Sequence, residues 1–421
     1  MTDTRVLDAP WLKSGPVARV FALLNRDGTE ARAVGGAVRN ALLGVAVGDI
    51  DIATTALPEE VVRRAKAAGI KSVPTGIAHG TVTLVVDGHP FEVTTLREDI
   101  ETFGRKAKVA FGRDWRRDAE RRDFTINALS AGANGVVHDY VGGLDDIAAR
   151  RVRFIGDPNI RIAEDYLRIL RFFRIHAAYG SGEPDRDGYL ACIAGRDGVA
   201  ALSAERIRME MLKLVVASGA TGAVTAMADG GLLQMILGGV AYIGPFAAMI
   251  AVERALSLPP DAIRRLAALG VAITEDARRL AARLRLANSE AKALDSMGHR
   301  WWRLADMDEA RARRRLYRLG PERYRDRLML AWARAGADAQ DESRNEYWRE
   351  FVSLPQRWTA PKFPLKAADF IGRGIDAGPT LGHVLALAED AWLAADFPLD
   401  EPALKAIADQ TISRFQRDHR L

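Results

Sequence analysis

Cysteine is almost absent from this chain. A single copy, Cys192, among 421 residues excludes an intramolecular disulfide and a cysteine-based zinc site, which suits a reducing compartment. A lone thiol of this kind is expected to be buried as a small apolar group. An apolar signal core is lacking too: the stretch MTDTRVLDAPWLKSG is polar, so a cytoplasmic protein is expected. Long uncharged runs are scarce. The one that could pass for a membrane span, Leu232 to Val252, is interrupted by Gly238, Gly239 and Gly244-Pro245 and contains Gln234, so two short buried helices are expected and no membrane association. No His-Asp doublet occurs in the C-terminal half, which argues against an appended metal-dependent phosphohydrolase domain. No internal repeat, low-complexity segment or long linker stands out, and nothing calls for an obligate protein partner.

What the chain does have is core, and charge placed unevenly. With 48% hydrophobic residues over 421 positions, two or more structural units are expected. The formal charge is +5, which permits a polyanionic partner. From Trp301 to Arg334 ten arginines face five acidic residues, so the excess is local. Trp301, Trp302, Tyr317, Tyr324 and Trp332 interleave with it, as suits a phosphate backbone with some base stacking; a solvated helix face over an aromatic core explains the same pattern. Arg414, Arg417 and Arg420 form a smaller basic tail open to the same two readings.

The stretch around which the rest is organised runs from Val34 to Thr54, VGGAVRNALLGVAVGDIDIAT. Ala31 to Val34 reads as a short strand entering Gly35-Gly36. Beyond it Val38, Ala41 and Leu42 show helical spacing. The glycines thus mark a strand-to-helix junction, where free N–H groups favour a phosphate; a tight structural turn would use the same pair. In Asp49-Ile50-Asp51-Ile52, read as a strand, both aspartates project to one side while the isoleucines bury the other. Two carboxylates so placed repel each other, and a divalent cation relieves that repulsion; hard oxygen ligands suit Mg2+.

Gly80 to Val86 and Phe91 to Thr95 read as strands joined by Asp87-Gly88-His89-Pro90. Alternation puts Phe91 and Val93 on one face and Glu92 and Thr94 on the other. Glu92 is therefore the third carboxylate for a two-metal phosphoryl-transfer centre, unless it is an exposed strand glutamate. From Leu96 to Asp123 the chain turns polar and is expected to be a loop, ending in RDWRRDAERRDFTINAL. Arg121, Arg122 and Asp123 lead into an apolar run containing Asn127. The arginine fork suits triphosphate oxygens and Asp123 a ribose hydroxyl; a charge-paired surface loop has the same composition.

GGAVRN with GDIDIAT, then GIAHGT, FEVTTLR, RRDFTINAL, DYVGGLDDI and RIAEDYLRILRFFRIHA together resemble the successive motifs of the class II CCA-adding enzymes, tRNA nucleotidyltransferases of the polymerase-β superfamily. The resemblance spans roughly Val34 to Ala178. It implies a catalytic head in which Asp49 and Asp51 hold metal, with Gly35, Gly36, Arg39, Arg122, Asp123 and Asn127 at the incoming nucleotide. Asn40 stands where the family usually has aspartate.

The stretch Arg161 to Ala177 is expected to be one helix, with Asp165 and Arg168 three apart on one face. An intrahelical ion pair is the plain reading. The same two groups can also imitate a base: arginine donates to N3 and O2 of cytosine or N1 of adenine, and aspartate accepts from the N4 or N6 amino group. Uracil and guanine present the reverse polarity. The matching E-D-x-x-R motif of the family makes this template-free choice of CTP and ATP, and the resemblance extends the nucleotide site to Arg171 and Arg174.

The fold expected is α+β, a mixed β-sheet nucleotidyltransferase head followed by an all-α neck, body and tail: head 1–153, neck with the base-recognition helix 154–220, body and tail with tRNA-binding surface 221–421. The expected reaction adds C, C and A to the tRNA 3′ end from CTP and ATP, with catalytic Asp49, Asp51 and Glu92 and Mg2+ as cofactor. A poly(A) polymerase or a CC- or A-adding relative is the nearest alternative, and a non-catalytic RNA-binding protein on the same scaffold the alternative of another class.

Overall fold

The computed structural model of the chain describes residues 5–103, 106–304, 307–336 and 342–418. They form two compact units, one running to Ala241 and including Arg283–Arg285, the other holding Tyr242–Ala282 and the chain from Leu286.

The first unit opens with α1 (Pro10–Lys13) and α2 (Gly15–Leu24). In α2 the residues Val17, Val20, Phe21 and Leu24 are buried, the i, i+3, i+4, i+7 stripe its pattern implies. Seven strands follow in one mixed sheet. Strand β1 (Ala31–Val34), buried along its length, lies antiparallel to β2 (Asp51–Thr54), which runs parallel to β5 (His89–Thr95). With β3 (Lys71–Gly76), β4 (Thr81–Val86), β8 (Ser130–Ala131) and β9 (Val137–His138), the order is β3-β4-β5-β2-β1-β8-β9. In β4 Val82, Leu84 and Val86 are buried and the residues between them are not. Asp87 and Gly88 join β4 to β5 with φ of 52° and 80°, the positive values that match a hairpin turn to strand twist. Helix α3 (Gly36–Leu42) links β1 to β2, and α4 (Pro58–Ala67) links β2 to the edge strand β3.

Two expectations change here. Strand β2 begins only at Asp51, so Asp49 and Ile50 precede the strand and the two aspartates do not share one strand face. The stretch Leu96 to Asp123 is no loop: β6 (Arg97–Phe103) and β7 (Lys106–Phe111) pair antiparallel as a separate sheet, and α5 (Trp115–Glu120) follows. Strands that satisfy their backbone groups on each other need no apolar stripe to announce them.

A third correction concerns the recognition stretch. After α6 (Gly143–Ala148), the helix expected from Arg161 to Ala177 is two helices, α7 (Pro158–Glu164) and α8 (Leu167–Tyr179). Asp165 between them is extended, at φ −158° and ψ 107°. The ring of Tyr166 lies so close to Gly198 that a Cβ there would come within 2.0 Å of it. Helices α9 (Arg186–Ala194), α10 (Ala204–Val215), α11 (Ala220–Asp229) and α12 (Leu232–Leu237) complete the unit. Cys192 is buried in α9, and burial pushes its thiol up.

Among the described residues the second unit holds helices and no strand: α13 (Ile243–Ala255), α14 (Ala262–Gly270), α15 (Thr274–Arg283), α16 (Asn288–Gly298), α17 (Glu309–Leu319), α18 (Pro321–Arg334), α19 (Glu342–Val352), α20 (Leu354–Arg357), α21 (Ala367–Ile371), α22 (Pro379–Ala394) and α23 (Glu401–Asp418). A core around Phe370, Val384, Ala388, Trp392 and Ala408 ties the last three together. The uncharged run Leu232 to Val252 is two short helices, as its glycines imply, and no described helix is long and apolar enough to cross a membrane.

Of the aromatic residues interleaved with arginine, Tyr324 and Trp332 are buried core residues that donate to Phe351 O at 3.1 Å and Asn345 Oδ1 at 3.0 Å. Tyr317 donates to Glu389 and Trp301 to Ala272 O, which leaves Trp302 as the exposed ring of the five. Arg414 and Arg417 lie on α23; Arg420 is outside the described residues.

Candidate active site

Strand β1 delivers the chain to Gly35, whose φ of 69° and ψ of −125° a residue with a Cβ rarely adopts. A Cβ at Gly35 would also lie 3.3 Å from Arg122 Nη1. The glycine therefore lets a guanidinium approach the backbone where α3 begins.

Asp51 opens β2 and pairs with Val34, the residue that leads into this turn. Because Ile52 pairs with Val93 in the parallel register, Asp51 and Glu92 occupy the matching preceding positions on neighbouring strands. Ile52 and Val93 are buried while Asp51 and Glu92 are exposed, so both carboxylates lie on the other face. Partial desolvation by the surrounding protein raises the Asp51 carboxyl above the ordinary aspartate range, the charges of Glu92 and Asp49 raise it further, and Arg122 opposes them. Among the described residues no three His, Cys, Asp or Glu side chains are already gathered for a cation. The donor set is nonetheless all carboxylate oxygen with crowded negative charge, which suits a hard divalent ion.

Arginines make up the opposite wall. Asp118 is buried in α5 and holds Arg121 at 2.6 Å and Arg122 at 3.2 Å. Its burial favours the neutral acid, yet those two cations keep its carboxyl below the usual range. Arg39 donates to Asn127 Oδ1 and to Asn40 Oδ1, the latter at 2.9 Å, and its guanidinium stacks 3.7 Å from the centre of the Tyr179 ring. Asn40 in turn donates to Ala46 O at 3.0 Å. Asp123, expected at a ribose hydroxyl, is buried and committed: it accepts from Phe124 N at 2.9 Å, Asn127 Nδ2 at 3.2 Å and Arg171 Nε at 2.7 Å. Burial alone would raise its carboxyl, but Arg171 and these hydrogen bonds hold it below the usual range. Asp123 thus orients Arg171 and Asn127.

At the far wall Asp165 and Arg168 are not the ion pair that three-residue spacing implies, because the helix breaks between them. Asp165 Oδ1 accepts from Leu167 N at 3.1 Å, and its Oδ2 takes Arg206 Nη2 of α10 at 2.6 Å. Arg168 is held by Glu164 and donates to Arg161 O at 2.6 Å. Each member of the pair is backed by an opposite charge of its own. Arg174 pairs with Glu210, also from α10.

One cavity of about 670 Å³ collects Gly35, Gly36, Arg39, Asp51, Arg122, Asp123, Asn127, Asp165, Arg168, Arg171 and Arg174. Asp49 and Glu92 do not line it; they meet the site through Asp51. The volume is in the range of small-molecule pockets. Arg206 and Lys213 line it as well and escape the sequence reading. The signal was present: Arg206, Glu210 and Lys213 recur at four- and three-residue steps, one charged face of a helix whose other face buries Met211, Leu214 and Val215.

The chain is similar to known proteins over most of its length. A family model described as the Poly A polymerase head domain matches residues 31–153. The CCA tRNA nucleotidyltransferase 1, mitochondrial, of Danio rerio is 32% identical over 399 residues, covering 92% of this chain and 89% of the relative. A CCA-adding enzyme of Geobacillus thermodenitrificans is 40% identical over 221 residues, 52% of this chain and 54% of that protein. The crystal structure of the Bacillus stearothermophilus CCA-adding enzyme in complex with CTP superposes with a TM-score of 0.71 at 27% identity, covering 96% of this chain and 98% of that one.

Proposed function

The chain belongs to the CCA-adding tRNA nucleotidyltransferases, and from that membership we propose that it adds C, C and A to the tRNA 3′ end from CTP and ATP without a nucleic-acid template. The reaction is an in-line attack of the terminal ribose hydroxyl on the nucleotide α-phosphate, with pyrophosphate leaving. Enzymes of this family depend on a divalent cation, and Mg2+ is the ion proposed here. Asp49 and Asp51 would hold two such ions, with Glu92 completing the acidic cluster. When bound, they lower the pKa of the attacking hydroxyl and neutralise the triphosphate.

The chain's own side chains supply the rest. Arg122, Arg171 and Arg174 offer guanidinium forks to triphosphate oxygens. Asp165 accepts from the N4 amino group of cytosine or N6 of adenine while Arg168 donates to the ring nitrogen. On uracil or guanine a carbonyl would meet the carboxylate, and two acceptors facing each other cost roughly 1–3 kcal/mol. The observation that carries this reading is that Asp51, Arg122, Asp165 and Arg168 line one cavity. In this scheme 1–153 is the catalytic head, 154–220 the base-selecting neck and 221–421 the tRNA-holding body and tail. The buried Cys192 supports a reducing, cytoplasmic setting.

Incubating the protein with magnesium, CTP, ATP and a tRNA lacking its 3′ end tests the assignment. A CCA end after which addition stops is the expected product; a long A tract marks a poly(A) polymerase, and no extension a non-catalytic RNA-binding protein. Asp49→Ala is expected to abolish incorporation while tRNA binding persists. Substantial residual incorporation by that variant overturns the metal assignment.

A further inference from the structure

Asp165 and Arg168 are held in unlike ways. Arg168 is fixed locally, by Glu164 and by Arg161 O within the same pair of helices, and Glu164 is itself held by Arg161 at 2.8 Å. Asp165 has no helix to hold it, since its backbone is extended between α7 and α8. Its neighbour contact, Leu167 N, fixes one carboxylate oxygen. The other oxygen is held from 41 residues away, by Arg206 of α10 at 2.6 Å.

We propose that Arg206 is a positioning residue for base choice, aiming the Asp165 carboxylate so that its remaining acceptor sites meet the amino group of cytosine or adenine. A carboxylate offers about four acceptor sites, and the structure assigns one to Leu167 and one to Arg206. Both side chains are largely buried, 17% exposed for Arg206 and 25% for Asp165, so little water competes with Arg206 for the carboxylate. The consequence of the pair lies in orientation. Removing Arg206 leaves Asp165 in place and charged groups around it intact, but lets the carboxylate swing about its single fixed oxygen.

This inference rests on Asp165 reading the exocyclic amino group, so its test separates the two. CTP is compared with the triphosphate of pyrimidin-2-one riboside, which lacks the N4 amino group, and ATP with that of purine riboside, which lacks N6. The preference for the natural nucleotide, as a ratio of kcat/KM, is measured in the full-length wild type, Asp165→Ala, Arg206→Gln and Arg206→Lys. Because the ratio is taken within one variant, it does not depend on how much of that variant is folded. Asp165→Ala is expected to lose the preference. Arg206→Gln is expected to lose on the order of tenfold of it, the scale of one well-placed hydrogen bond. Arg206→Lys is expected to restore part of the preference. If Asp165→Ala loses the preference but Arg206→Gln lowers natural nucleotide and analogue equally, Arg206 acts as general structure and the proposal is overturned. If Asp165→Ala keeps the preference, the amino group is read elsewhere and both the base-pair reading and the role of Arg206 fall.

Discussion

Gly35 shows at the scale of a residue how a plain sequence signal becomes a constraint. Its φ of 69° with ψ of −125° is open to glycine, and the Arg122 guanidinium occupies the space where a Cβ would begin to press, at 3.3 Å. The arginine tip can give way; the backbone cannot. Gly35→Ala is therefore expected to cost about 1–3 kcal/mol of stability through backbone strain, read by denaturant unfolding, and to raise KM for CTP as Arg122 is displaced. The glycine pair and Asp51 were legible because each depends on its immediate neighbours. The second function of Asn40 was not: its amide accepts from Arg39 and donates to Ala46 O, and an ionised carboxylate could do only the first. Nor was the burial of Asp123, since a charged residue reads as exposed until its ionic partner, here Arg171, is brought from 48 residues away.

Among the elements, periodic ones were readable and interrupted ones were not. Strands β1, β4 and β5 and helix α2 carry apolar residues at the period of their own geometry, and the structure keeps them close to where the pattern puts them. The break between α7 and α8 leaves no such trace, because Asp165 and Tyr166 are compatible with a continuing helix. What fixes the break is tertiary: Tyr166 packs on Gly198, a position where a methyl group would stand 2.0 Å from the ring. Gly198→Ala is accordingly expected to push Tyr166 out and destabilise the junction by roughly 1–3 kcal/mol, the usual cost of overpacking. If the break is what separates Asp165 from Arg168, this variant should misincorporate UTP in a primer-extension assay before its turnover with CTP falls. A drop in turnover with base choice intact would detach the junction from selection.

At the scale of the whole molecule, the local charge excess was visible in the sequence but its meaning was divided between RNA contact and a solvated face. The aromatic residues settle on the core side, since Tyr324 and Trp332 are buried and Trp302 alone of the five is exposed. The arginines behave otherwise. Arg323 and Arg327 stand four apart on α18 and Arg311 and Arg315 four apart on α17, a like-charge spacing that destabilises a helix unless an anion answers it; Asp308 answers Arg311, from 3.8 Å. Burial and the charges of Arg303 and Arg311 pull the Arg315 guanidinium below its ordinary range; burial, Arg315 and Arg323 do the same to Arg327. Among the described residues Arg327 donates to the Ser296 hydroxyl at 3.0 Å, and the charge of Asp295 offsets its lowering only in part. Cations kept together at this cost are suited to polyphosphate. Replacing Arg303, Arg315, Arg323 and Arg327 by glutamine is expected to weaken tRNA binding and to make the plot of log affinity against log salt shallower by about 0.7–0.9 for each phosphate that is no longer neutralised. KM for CTP should stay near the wild-type value at saturating tRNA, because the nucleotide cavity lies wholly among residues of the first unit. An unchanged salt slope in a folded variant would return these arginines to the role of a solvated face.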